Sequence, residues 1–324
     1  MTHRRQFLRL AASAAALPAT SHIAWAQAYP TRSIKVVVPV PAGGPTDTLG
    51  RIVGQRLSSI PGQPVIIENQ SGAGTTIGMR AVASARPDGY TLIISSPAAL
   101  CTSTVLYKLD YDPLSVFTPV GTFALDPAVL VVSPSVPAKT VQELIQYAKA
   151  NPGKLNSGSA VGNTPYFLAE LFKSKTGVNI PNVPYRGAAP AITDLLGSQI
   201  QMLINNKSVL APYLQEGKLK ALAVATATRW QELPHVPTML ESGLEEFPSG
   251  SLYGLFAPKG TPSTIIDKLN AAINDGMNSS EMGQTMAKLG VETKLGTPQQ
   301  FATLLSHECP DWVEIARLTG IKPE

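Results

Sequence analysis

The sequence predicts an α/β protein of two lobes, with mainly parallel sheets covered by helices on both faces. Three observations carry this. Short apolar runs alternate with helical patterns almost throughout, as strands buried on both faces require. Of 324 residues, 298 remain once residues 1–26 are set aside as a leader, more naturally two lobes than one core. Pro-rich joints at Thr118–Asp126 and near Pro248–Ser251 mark candidate crossings between lobes.

The leader reads as an export signal. Arg4, Arg5 and Arg9 precede an apolar run from Leu10 to Leu17, and Ala24-Trp25-Ala26 fits a small-x-small cleavage site. Arg4-Arg5-Gln6-Phe7-Leu8 has the twin-arginine pattern, with the general secretory route as the alternative. The run is too short to span a bilayer of about 30 Å. No later segment is long and apolar enough to cross a membrane. Removing the leader takes away three arginines and no acid, so the formal charge falls from +4 to +1. The basic character is therefore partly a targeting artefact and gives no support to nucleic-acid binding.

The elements follow in order. Ile34–Val40 is an apolar strand, and Thr48–Ile60 is a helix with Leu49, Ile52, Val53 and Leu57 on one face. Val65–Glu68 and Thr76–Ala85, then Tyr90–Ser95 and Ala98–Tyr107, repeat the strand–helix pattern. Ala128–Val132 is a strand and Val141–Ala150 a helix. Leu155–Ser159 leads through a Gly turn to a helix at Thr164–Thr176. Ala188–Gly197 is a helix, Ile200–Ile204 a strand, Val209–Gly217 a helix and Leu219–Ala225 a strand. Tyr253–Ala257 is the last strand, before helices near Ser263–Met277, Glu281–Leu289 and Pro298–Thr319. Cys101 and Cys309 have two readings: a disulfide in an oxidising compartment, or two small buried side chains.

Five strand-to-helix loops are Gly- or Ser-rich: Pro41–Thr48, Asn69–Thr76, Ser95–Ala98, Ser157–Thr164 and Pro184–Pro190. In a parallel α/β sheet such loops sit at the carboxyl ends of strands, where ligands bind. The first ends an apolar run at Gly43-Gly44 and opens a helix, which presents backbone N–H groups at a positive helix end to an anion. Nucleotide readings fail on spacing: Gly72, Gly74 and Gly78 give G-x-G-x-x-x-G, and no P-loop is present. The mature chain has two histidines, His235 and His307, and neither stands near a recognisable nucleophile turn. An exported hydrolase using Ser159 or Ser96 lacks a base and a third partner. No metal or other cofactor is expected.

These loops carry a specific resemblance. Tyr29-Pro30-Thr31-Arg32-Ser33-Ile34-Lys35, Pro41-Ala42-Gly43-Gly44-Pro45-Thr46-Asp47, Glu68-Asn69-Gln70-Ser71-Gly72-Ala73-Gly74, Pro87-Asp88-Gly89-Tyr90-Thr91-Leu92, Val183-Pro184-Tyr185-Arg186-Gly187 and Pro190-Ala191-Ile192-Thr193-Asp194-Leu195-Leu196-Gly197 resemble, in order, motifs of the Bug family. Gly217–Ala223 and Pro234–Thr238 continue the pattern. These are extracytoplasmic solute receptors of the tripartite tricarboxylate transporter type. The resemblance implies a two-lobed periplasmic binding protein of the Venus-flytrap kind (type II). It places lobe one at residues 27–124 plus 251–324 and lobe two at 125–250. It implies a periplasmic location and a small carboxylate as ligand. The partners are membrane subunits of a transporter, or a sensor kinase in the alternative reading; the chain is expected to be a monomer. The returning C-terminal helix makes a Cys101–Cys309 contact conceivable.

The expected site follows. One carboxylate docks on Ala42, Gly43 and Gly44, with Thr46, Gly74, Thr75, Ser95 and Ser96 around it. A second polar end meets Ser159, Gly162, Asn163 and Thr164. Tyr166, Tyr185, Gly187 and Asn205 line the rest. Asp47 either orders its loop by accepting backbone N–H groups or touches ligand. Arg186 either faces an anion or is solvated. The family often has Phe where this chain has Val40, His where it has Tyr166 and Asp where it has Asn205. Asn cannot supply a charge for a ligand ammonium, so a mono- or dicarboxylate without an amino group, aliphatic or aromatic, is expected.

Overall fold

The computed structural model describes residues 29–58 and 63–320. The leader at 1–26 and the expected end of the first helix at 59–60 lie outside the described residues. Ten strands are described: β1 Ile34–Val38, β2 Val65–Asn69, β3 Thr91–Ser95, β4 Phe117–Val132, β5 Ser157–Ser159, β6 Asn182–Pro184, β7 Met202–Asn206, β8 Lys220–Val224, β9 Gly250–Pro258 and β10 Glu292–Thr293. The α-helices are α1 Pro45–Leu57, α2 Thr76–Ala83, α3 Pro97–Leu106, α4 Pro113–Val116, α5 Val141–Ala150, α6 Thr164–Thr176, α7 Ala188–Leu196, α8 Lys207–Gln215, α9 Ser263–Met277, α10 Ser280–Lys288 and α11 Pro298–Leu318.

β4 joins two sheets. In the first, the order is β2-β1-β3-β9-β4, with β10 on β4; in the second, β4-β7-β5-β6, with β8 on β4. β1 pairs in parallel with β2 and β3, and β5 in parallel with β6 and β7. All pairings of β4 and the β3–β9 pairing are antiparallel. The two-lobed α/β architecture is as expected, but its sheets are more mixed than the alternating pattern suggested. The cause is the crossing itself. β4 carries the chain out and β9 brings it back, so the two run in opposite directions.

The joint at Thr118–Asp126 is strand, not loop. It keeps its proline because Pro119 stands where the register with β9 shifts, a place that tolerates the missing N–H. Phe117 to Pro127 pair with β9, and Ala128 to Val132 pair with β7.

Alternation of side chains builds a core on each face. Val129 and Val131 of β4 pack with Leu195 and Leu210 on one side of the second sheet. Leu130 and Val132 join Phe167 and Phe172 of α6 on the other. In the first sheet, Val36 and Leu92 face Val53 of α1 and Leu269 of α9, while Val37 and Ile93 face the other way. The core around Leu130 also takes in Phe301, Trp312 and Ile315 of α11, so the C-terminal helix is packed with groups of both sheets.

α11 starts at a capping box, Thr297 with Gln300. Its Cys309 is bonded to Cys101 of α3, with Cα atoms 5.1 Å apart, which settles the choice the sequence left open. Gly254 of β9 lies directly against the Phe301 side chain of α11. A methyl group there would run into the buried Phe301 ring and crowd the Gly121 carbonyl at 3.1 Å. Overpacking of this kind costs about 1–3 kcal/mol. Gly254→Ala is therefore expected to lower the thermal midpoint by several degrees in calorimetry, with helix content unchanged.

Candidate functional site

Helix N-termini converge on one cleft of about 720 Å³. α1, α3, α6, α7 and α8 each begin in its wall, because each follows the loop at the carboxyl end of a strand or the turn beside it. What separates them is capping. A helix start leaves N–H groups without intrahelical partners, and these take a side chain, water or a ligand. Ser96 caps α3 by accepting from Ala99 N–H at 3.2 Å. Asn163 caps α6 by accepting from Tyr166 N–H at 2.9 Å. Asp126, reaching in from β4, serves α8 by accepting from Ser208 N–H at 3.2 Å. α1, entered at Gly44, and α7, entered at Gly187, have no side-chain cap. Pro45 at the first position of α1 removes an N–H that would be an orphan there anyway.

The α1 cradle is held in shape from behind. Asp47 is buried, and its carboxylate accepts from Gly43 N–H at 3.0 Å, Arg51 Nε at 3.1 Å and Asn69 Nδ2 at 3.0 Å. Asn69 also donates to the Val40 carbonyl at 3.1 Å. Burial pushes the Asp47 pKa up, but the bonds from Gly43, Arg51 and Asn69 outweigh it, and its carboxyl lies below its ordinary range. Of the two readings of Asp47, the loop-ordering one fits: it is absent from the cleft wall, and its oxygens are spent. A depressed carboxyl adds stability above its unfolded pKa and loses it as pH falls through the folded one. Asp47→Asn is thus expected to melt below the wild type at neutral pH, with the gap closing on acidification through and below the ordinary carboxylate range.

Ala42, Gly43, Gly44, Thr46, Gly74, Thr75, Ser95 and Ser96 line the cleft on the side of the first sheet. The Ser95 hydroxyl is the informative one. Ser95 is 2 % exposed, and its Oγ has no hydrogen-bond partner among the described residues. A buried unpaired hydroxyl costs about 1–3 kcal/mol, so its persistence beside a cleft points to a partner supplied from outside.

From the other side come Asn163, Thr164, Tyr185, Gly187 and Asn205. Thr164 donates to Ser96 Oγ at 3.4 Å, joining the two walls. Tyr185 presents its ring alone, because its hydroxyl donates to Asp194 at 2.6 Å. Burial, then the Asp194 partner, pushes that hydroxyl up to about 12. Asn205 accepts from Asn206 N–H at 2.8 Å through its carboxamide oxygen, which leaves its N–H₂ end to donate. Among the residues lining the cleft, Arg186 is the one charged side chain, and no acid is present.

Besides Asp47, three more expected contacts lie outside the wall. Ser159 turns its hydroxyl to Asn182 at 2.7 Å, because residue 159 is the last of a paired strand and its carbonyl is taken by Tyr185 N–H. Tyr166 is buried against Phe167, with its hydroxyl bonded to Thr319, and burial pushes it up to about 12. Gly162 acts between loops instead. Its φ is +90°, and a Cβ there would stand 3.2 Å from Gly74 Cα.

Sequence reasoning missed Tyr107, Asn206, Ser251 and Tyr253 in the wall, and Asp126 behind it. Sequence offered little signal: Asp126, Asn206 and Ser251 fall outside the expected strands, and only the longer strands of the structure make them buried polar residues, which stay buried when hydrogen-bonded.

The model of the tripartite tricarboxylate transporter family receptor matches residues 49–321. BugT of Bordetella pertussis is 36% identical over 300 residues, which cover 92% of each chain. The solved R. palustris protein Rpa4515 with adipate superposes at a TM-score of 0.85, with 38% identity, covering 91% of this chain and 100% of that one. MatC from Rhodopseudomonas palustris with bound malate superposes at 0.83, with 34% identity, covering 89% of this chain and 100% of that one. This chain belongs to the tripartite tricarboxylate transporter receptor family, a family of solute-binding receptors and not of enzymes.

Proposed function

We propose that the chain is a periplasmic receptor that captures a small carboxylate between its lobes and delivers it to the membrane subunits of a transporter. Lobe one is residues 27–124 plus 251–324, and lobe two is 125–250. The observation that carries the ligand class is the uncapped start of α1 beside the unpartnered Ser95 hydroxyl, in a wall that holds one cation and no acid. Such a site supplies donors and no acceptor charge, so it favours an anion over an amino acid or amine. Short N–H-to-carboxylate bonds need no arginine, and Arg186 with the uncapped α7 offers a place for a second carboxylate. Adipate and malate, which the two solved relatives hold, fall within this class.

Ligand that touches both walls favours the closed arrangement by its differential affinity for it. The test is a thermal-shift panel of aliphatic and aromatic mono- and dicarboxylates, with amino acids alongside, on residues 27–324. A carboxylate that binds the native form alone raises the melting temperature by mass action, by an amount that grows with concentration. Shifts from aspartate or glutamate, and none from plain carboxylates, would sink the reading.

A further inference from the structure

Asp126 lies where β4 passes from one sheet to the other. It stands in register with Ser251 of β9, and Ala128, two residues on, stands in register with Asn206 of β7. Its side chain is wholly buried. Its oxygens accept from Ser208 N–H at 3.2 Å, from the Ser208 hydroxyl, and from Asn206 Nδ2 at 3.2 Å. Asp126 does not touch the cleft, but what it holds does.

A carboxylate only accepts, so it fixes the Asn206 amide with its N–H₂ end inward. The same nitrogen donates to the Tyr253 hydroxyl at 3.0 Å, and the amide oxygen accepts from Ser251 Oγ at 3.1 Å. Tyr253, already an acceptor from Asn206, is also hydrogen-bonded to Thr46 at the open start of α1. Asn206, Ser251, Tyr253 and Thr46 all line the cleft. A chain of oriented polar groups thus runs from one buried acid to the cradle.

We propose that Asp126 is a positioning residue for the cleft: its protonation state sets which way the Asn206 amide and the Tyr253 and Thr46 hydroxyls point, and its charged form weakens the hold of the cleft on an anion. The binding half of this rests on the carboxylate reading above.

Burial pushes the Asp126 pKa up to about 7, against the bonds from Ser208 and Asn206. Two titratable groups face it: Tyr253 from β9, kept protonated by burial, and Lys207 from α8, whose ammonium rests on Glu232 at 3.0 Å. From β7 it meets the uncharged Asn206, and from α8 also Ser208. A carboxylate in the cleft adds a like charge and raises the Asp126 pKa further, so binding takes up a proton. Affinity therefore falls as pH rises through this range. A ligand that raises the pKa by about one changes its own affinity about tenfold across the transition.

The experiment has two arms on the mature protein. In the first, the Asn206 side-chain amide resonance is followed by NMR in ligand-free protein across about pH 5.5–8.5, the window around the Asp126 transition. It is expected to titrate in the wild type and to stay still in Asp126→Asn. In the second, calorimetry with adipate and with malate compares about pH 6 with about pH 8; wild-type affinity falls about fivefold, the part of the transition that this window spans, and Asp126→Asn is flat. An Asn206 resonance that ignores pH in the wild type overturns the proposal, even if the variant fails to fold. An equal pH slope of affinity in both proteins overturns it too. Should neither acid bind, the carboxylate reading fails for these probes, and the amide titration alone decides the role of Asp126.

Discussion

Gly162→Ala is expected to weaken carboxylate binding about tenfold or more while leaving a folded protein. Two effects act at this position and they can be separated. Gly162 has φ +90°, where an L side chain is strained by about 1–2 kcal/mol. That strain follows the residue into any arrangement of the lobes. The second effect is contact: the added Cβ would meet Gly74 Cα at 3.2 Å and Gly74 O at 3.4 Å. Both are backbone atoms, and Gly74 is itself pinned, because a Cβ on it would strike the Tyr107 ring. Relieving the contact needs the two loops to move apart by a few tenths of an ångström, which penalises the closed arrangement and spares an open one. Gly177→Ala is the control. It shares a positive φ of +67°, at the end of α6, but has nothing within 4 Å of its added Cβ. It is expected to lose stability and keep its affinity. Calorimetry and small-angle scattering with and without a bound carboxylate check both variants. Equal affinity in Gly162→Ala and wild type would show that the two loops do not meet in the bound state.

The second large effect is on stability. Replacing Cys101 and Cys309 together with Ser is expected to cost about 3–5 kcal/mol, because the bond closes a long loop in the unfolded chain. The separation is 208 residues. At roughly 2 °C per kcal/mol for a chain of this size, the midpoint drops by about 6–10 °C. The consequence reaches the site as well. The bond ties α3, whose first turn is capped by Ser96 at the cleft, to α11, whose Trp312 packs on Phe167 of α6 with ring centroids 6.5 Å apart. Differential scanning calorimetry with and without reductant checks it. Reductant should bring the wild type down to the variant and leave the variant alone; a wild type that ignores reductant under unfolding conditions contradicts it.

Much of the fold was legible because burial on both faces leaves a plain trace. Val36-Val37-Val38 and Leu130-Val131-Val132 read as strands without help, and Thr164–Thr176 and Ser263–Met277 match α6 and α9 from end to end. The direction of β4 and β9 was not legible. An apolar run says that a strand is buried, not which neighbour it pairs with. Within Thr118–Asp126, Pro119 and Gly121 gave a turn-like composition that masked a strand, since only tertiary pairing shows that both sit at a register shift. At the site, glycines marked the loops correctly, because a tight turn needs them wherever it lies. Side-chain direction was the part that sequence could not carry. Ser159 and Tyr166 stand on the right elements and point into the protein, toward Asn182 and Thr319. Asp126, which looked like part of a joint, and Asn206, which carried no sequence reading, form a polar pair at the cleft, with Asn206 in the wall and Asp126 behind it.

The proposed cleft holds an anion on backbone N–H groups and hydroxyls. Calorimetry on paired probes tests it most directly: each carboxylate that shifts the melting temperature, run against its own neutral amide. The acid is expected to bind with heat released, and its amide to lose at least about tenfold, since a hydrogen bond to a charged group is worth roughly 1.5–3 kcal/mol. Equal affinity for acid and amide, or binding of an amine in place of either, would contradict it.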